Sequence, residues 1–163
     1  MVDQLTSKGW VKAQFNLESK GELLIIKAEN ISSVRQLFKR DPALNEGYLI
    51  AEITPWDLRY GTLCEKNKNT AQRYVLARYV SILTKESVRR ASQEFEAHDQ
   101  YLNQIKKTGN VVAEGIFTNS DGGLLVMKGD VGDALIFSDP AVQSGFLEAE
   151  IFNVVLKKGS ICQ

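Results

Sequence analysis

The chain holds one histidine, His98, and imidazole suits proton transfer at neutral pH because its unperturbed pKa lies near ~6.5. His98 sits inside an apolar stripe at helical spacing, Phe95 to Leu102, so its ring is expected to face the protein interior. Two roles are open to it: a half-buried ring satisfied by one hydrogen bond, or a general acid or base whose other nitrogen is held by a carboxylate. Tyr101, three residues on, either offers its hydroxyl to a pocket ligand or packs at the edge of the core. Glu94, one turn earlier, either bonds the imidazole or is a solvated helix charge. Asp99 adjoins His98 in sequence, but consecutive residues point to different helix faces, so the two are not paired. Asp139 precedes Pro140, where an aspartate stops one helix and caps nearby backbone. Asp41-Pro42 repeats that arrangement in a part of the chain without a histidine, which favours an architectural role.

Other chemistry is poorly provided for. Ser120 and Ser138 fall in turns, with no G-x-S-x-G elbow to make either a nucleophile. Cys64 and Cys162 are distant from one another and form no C-x-x-C, and one histidine cannot complete a metal site, so no metal or cofactor is expected. Gly122-Gly123 closes a hairpin rather than opening a helix and is not a phosphate loop. Lys plus Arg and Asp plus Glu both total 20, so no net field gathers nucleic acid or anionic lipid. The first ten residues lack a basic segment followed by an apolar one, and no apolar run approaches the ~20 residues of a membrane span. A cytoplasmic protein is expected, with a small-molecule ligand and neither nucleic acid nor membrane as partner.

The elements that must position these residues come in two copies. Gly21–Lys27 and Gly122–Lys128 agree at four of seven positions, and Asp41–Ile53 and Asp139–Ile151 at eight of thirteen. Chance gives about one in twenty, so the chain carries an internal duplication. In the second copy, residues 74–83 are rich in β-formers and predict a strand. From Lys85 to Lys107, Val88, Ala91, Phe95, His98, Leu102 and Ile105 recur every three or four residues and predict a helix. Val111–Phe117 and Leu124–Lys128 flank a cluster of turn formers and predict a hairpin; a short helix over Val131–Phe137 and a strand over Phe146–Leu156 follow.

Strand, helix, strand, strand, helix, strand is the split β-α-β order of ferredoxin-like units, whose first strand lies centrally. The first copy has a hairpin (Trp10–Leu17 and Leu23–Ala28), a helix with Ile31, Val34, Leu37 and Phe38 on one face, and a last strand, Tyr48–Thr54. It lacks its initial strand and most of its first helix, unless Val2–Lys8 is the tail of that helix. The missing strand leaves backbone groups to be paired by the other copy, by another chain, by the flanking strands, or by residues 57–73. The expected class is α+β, with an incomplete unit over 1–64, a polar linker over 65–73 and a complete unit over 74–163.

The second copy resembles the YciI-like family. The likeness is carried by His98 in Glu96-Ala97-His98-Asp99-Gln100-Tyr101-Leu102, by Gly109–Gly115, by Gly123–Met127, and by Ser138-Asp139-Pro140 with Gly145 after it. The first copy carries the later half of this pattern, ending in Ala51–Trp56. The resemblance implies a dimeric α+β barrel, here an internal pseudo-dimer of the two copies or a homodimer. It implies His98 and Asp139 as a catalytic pair; Tyr101 and Phe95, beside them on the helix, are the candidate substrate contacts. Family members often carry Arg where this chain has Phe95, which removes a charge from the expected site. The implied activity is binding of a small organic molecule, with cofactor-free lyase, isomerase or dehydrochlorinase chemistry by proton transfer. The alternative is a non-catalytic ligand-binding or structural module of the same fold.

Overall fold

Tyr-Val-Leu-Ala-Arg-Tyr-Val is apolar on both alternating sets of positions except at the arginine, as a strand covered on both faces must be. In the computed structural model of the chain, which describes residues 5, 7, 9–17, 21–63, 72–82, 84, 87–118, 122–129 and 133–156, this segment lies in the long strand β4 (Gln72–Ser81). β4 sits between β6 (Gly122–Lys128) and β7 (Leu147–Leu156), and β5 (Val111–Phe117) flanks β6 on its far side. All of these pairings are antiparallel. The class is therefore α+β.

A fifth strand, β3 (Trp56–Gly61), closes the order β3-β5-β6-β4-β7. This corrects the expected last strand of the first copy. Tyr48–Thr54 forms no strand, and Tyr48, Leu49 and Ile50 are 77%, 57% and 98% exposed. A strand needs an edge to pair with, and among the described residues none pairs with Tyr48–Thr54. The open edge of β5 instead takes the residues after Pro55, pairing Trp56 with Phe117 and Gly61 with Ala113. Gly115 makes room for this: a Cβ there would lie 2.1 Å from the Asp57 carbonyl oxygen and 2.7 Å from the Trp56 indole nitrogen.

Helices cover one face of the sheet. α3 (Ala91–Lys106), entered through a turn of 3-10 helix at Ser87–Arg90, buries Leu102 and Ile105 against Val75, Ala77, Leu125 and Met127. α4 (Asp133–Phe137) and α5 (Pro140–Gln143) add Ile136 and Ala141 to this core. The opposite face carries Tyr74, Leu76, Leu124, Val126 and Val154, and packs on the hairpin β1 (Val11–Asn16) and β2 (Glu22–Ile26) through Ala13 and Phe15. Among the described residues the hairpin stays a separate two-stranded sheet, and residues 57–61, expected as one candidate to complete it, pair with β5 instead.

The two Asp-Pro turns have the same geometry. Asp41 precedes α2 (Pro42–Asn45) in extended backbone and accepts from Ala43 N at 2.9 Å; Asp139 precedes α5 likewise and accepts from Ala141 N at 3.0 Å. Gly47 and Gly145, at corresponding places after these turns, take positive φ of 78° and 73°. α1 (Ile31–Phe38) is capped by Asn30 and buries Val34. The expected linker over 65–73 (apart from 72 and 73), the end of the 74–83 strand at 83, the first turn of the Lys85–Lys107 helix at 85–86, most of Val2–Lys8, Ser120, the start of the Val131–Phe137 helix, Cys64 and Cys162 lie outside the described residues. Among the described residues, no helix is long and apolar enough to cross a membrane, and no three His, Cys, Asp or Glu side chains converge as a metal site would require.

Candidate functional site

The apolar stripe of α3 turns His98 toward the sheet, and its side chain is only 12% exposed. The turn between α4 and α5 brings Asp139 against the same face of α3, because α5 packs on that helix. Asp139 is fully buried, and a carboxylate in that position must have its lone pairs met. Oδ1 accepts from the backbone N–H of Ala141, and Oδ2 lies 2.5 Å from His98 Nδ1. One side chain thus caps α5 and holds the imidazole, so the architectural and the ring-orienting roles coincide at Asp139.

A carboxylate accepts hydrogen bonds and does not donate, so Nδ1 carries the proton. Nε2 has no hydrogen-bond partner among the described residues. His98 lines a cavity of about 230 Å³ between α3 and the strands β4, β5 and β6, and Nε2 is the nitrogen left to serve it. Ligand pockets start at about 300 Å³, so this cavity fits one ring or a short chain.

Of the residues expected beside His98, Phe95 lines the cavity and stacks edge-on against Phe146, with ring centroids 4.9 Å apart. Tyr101 does not line it: its hydroxyl donates to the Leu135 carbonyl. Burial, helped by the Asp139 charge, pushes the Tyr101 pKa up, with nearby Ser138 acting in the opposite direction. Glu94 does not bond the imidazole; it accepts from Ser144 Oγ at 2.8 Å. Ser138 Oγ donates to the Ala134 carbonyl and faces no base.

Three cavity residues were not legible as such. Arg59 on β3 reaches the cavity and binds Asp99 through both guanidinium ends, at 3.1 and 3.3 Å. These hydrogen bonds raise the Arg59 pKa and outweigh its partial burial. Glu114 on β5 is buried and pairs with Lys106 Nζ at 2.7 Å. Tyr79 on β4 stands edge-on to the His98 ring at 4.9 Å, on the helix face with Val75 and Ala77, as strand alternation requires. The chain matches no family model, no curated protein and no solved structure.

Proposed function

We propose that the chain binds a small organic molecule in the cavity beside His98 and moves a proton on it, with Nε2 as general base or acid. The observation that carries this reading is the 2.5 Å contact of Nδ1 with a fully buried carboxylate. It orients the ring, selects the tautomer with an accepting Nε2, and stabilises the imidazolium formed when Nε2 takes a proton. No redox step is needed for an isomerisation, a dehydration or the elimination of a leaving group such as chloride by this route. Asp139 is a positioning residue in that scheme and His98 the catalytic one.

We also propose a YciI-like chain built as an internal pseudo-dimer of two ferredoxin-like units, the first incomplete. The order β5-β6-β4-β7, with β4 central, supports the complete unit. The matched Asp-Pro caps and the packing of the hairpin on the second sheet support the duplication and the barrel-like pairing of sheets.

Deuterium wash-in from heavy water into a panel of small cyclic ketones, 1,3-diketones and hydroxyquinols, followed by proton NMR, tests the activity. Exchange should fall by about 10²–10⁴-fold in His98→Asn, the usual contribution of a positioned acid or base. Exchange that is equal in the variant, or absent with every compound while some raise the melting temperature, would sink the enzymatic reading and leave a ligand-binding module.

A further inference from the structure

Arg59 enters the cavity from an edge strand, and a β-bulge sets its place there. Leu58 pairs with Gly115 and Tyr60 with Glu114, so Arg59 is the extra residue of β3 between two consecutive residues of β5. Such a bulge re-aims a side chain at the expense of a regular ladder. Among the described side chains that line the cavity, Arg59 is the one permanent cation. It stands at the open end: its side chain is 38% exposed and that of Asp99 44%, against 12% for His98 farther in. The guanidinium already grips one carboxylate, that of Asp99, through both terminal nitrogens at 3.1 and 3.3 Å. Charge-assisted bonds of this kind favour about 2.7–2.9 Å, so the grip is loose. An ion pair so exposed contributes little to the fold. We propose that Arg59 is the anion receptor of this cavity, and that the occupant is a small monocarboxylate whose carboxylate takes the place of Asp99 on the guanidinium. This rests on the proton-transfer reading of the cavity and names its substrate class.

The remaining walls fit the rest of such a molecule. Phe95, Leu102, Leu124, Leu125 and Leu147 suit a ring or short chain, which a carboxylate held at the rim directs inward toward His98. A second charge on the occupant would have to sit among these apolar side chains, which is why one carboxylate fits and two do not. Glu114, the other acid on the wall, has its charge met by Lys106 Nζ at 2.7 Å. Asp57 also acts on Arg59, but it is exposed, where water and salt screen it. The exchange conserves charge: Asp99 returns to solvent, and the incoming carboxylate keeps the guanidinium neutralised. The planar fork meets both oxygens of a carboxylate at once, whereas an amide of the same shape offers one acceptor and no charge. The site therefore separates an acid from its amide.

The test is titration of the full chain with benzoate and with benzamide, followed by the ring proton signals of His98, the only histidine. Benzoate should shift these signals saturably and bind at least about ten-fold more tightly than benzamide, the usual effect of hydrogen bonds to a charged group. Arg59→Gln should bind benzoate at least about ten-fold more weakly and benzamide as before, while its urea midpoint barely moves. Asp99→Asn removes the competitor and should bind benzoate about two- to five-fold more tightly. No saturable shift with millimolar benzoate, equal binding of acid and amide, equal benzoate binding in Arg59→Gln, or unchanged or weaker benzoate binding in Asp99→Asn would each overturn the assignment. None of these readings needs a proton to move, so failure of the anion receptor is distinguishable from failure of His98 as acid or base, which deuterium exchange reports.

Discussion

Asp41 and Asp139 cap their helices alike, and only the second touches an imidazole, so the molecule carries its own control. Asp41→Ala removes one cap and should cost about 0.5–2 kcal/mol. Asp139→Ala removes the same cap and also a hydrogen bond to a charged acceptor, worth about 1.5–3 kcal/mol, for about 2–5 kcal/mol in all. The second loss is felt in full because Asp139 is fully buried and solvent cannot replace it, whereas Asp41 is half-buried. Urea denaturation of the two variants measures the difference, and at about 2–4 °C per kcal/mol for a chain of this size it is also visible as a melting shift. Equal losses would refute the reasoning, since they would mean that the imidazole contact adds nothing to the cap.

Gly115→Ala should loosen β3 from β5, because the added Cβ would lie 2.1 Å from the Asp57 carbonyl oxygen; in a Trp10→Phe background the Trp56 fluorescence should shift to the red. An unshifted spectrum would contradict the β3–β5 pairing. Arg59→Ala removes a pair that is more than a third exposed on both sides and should cost under about 1 kcal/mol of stability in urea, with a larger loss assigning Arg59 to the fold. Stability should fall as pH rises above about 10, where tyrosines of the unfolded chain ionise while Tyr79, its pKa raised by burial, holds its proton in the folded state. Urea midpoints across this range should fall less steeply in Tyr79→Phe, and identical slopes would count against the buried neutral phenol.

The residues of the second copy were largely legible because their patterns are local. The helical stripe from Ala91 to Ile105, the turn formers before Gly122 and the apolar run of β4 each state their own periodicity. The pairing of His98 with Asp139 spans 41 residues and was suggested by likeness, not by spacing; packing of α5 on α3 creates it. β3 was not legible, since Trp56–Gly61 has charged residues at 57 and 59 and becomes a strand only because β5 has a free edge. Arg59 could not be placed in the cavity without that strand. Tyr48–Thr54 was expected to be a strand from its sequence likeness to the β7 segment, and among the described residues it lacks the neighbour that makes β7 one.

The measurement that bears most directly on the site is the tautomer of the single histidine, read from its ring ¹⁵N shifts in alkaline buffer. With Asp139 accepting from Nδ1–H, the wild type should show the proton on Nδ1. In Asp139→Asn the Ala141 N–H still demands the amide oxygen, which turns the amide NH₂ toward Nδ1 and should move the proton to Nε2. A wild-type ring protonated on Nε2, or the same tautomer in both proteins, would contradict the His98–Asp139 pair on which the proposed function stands.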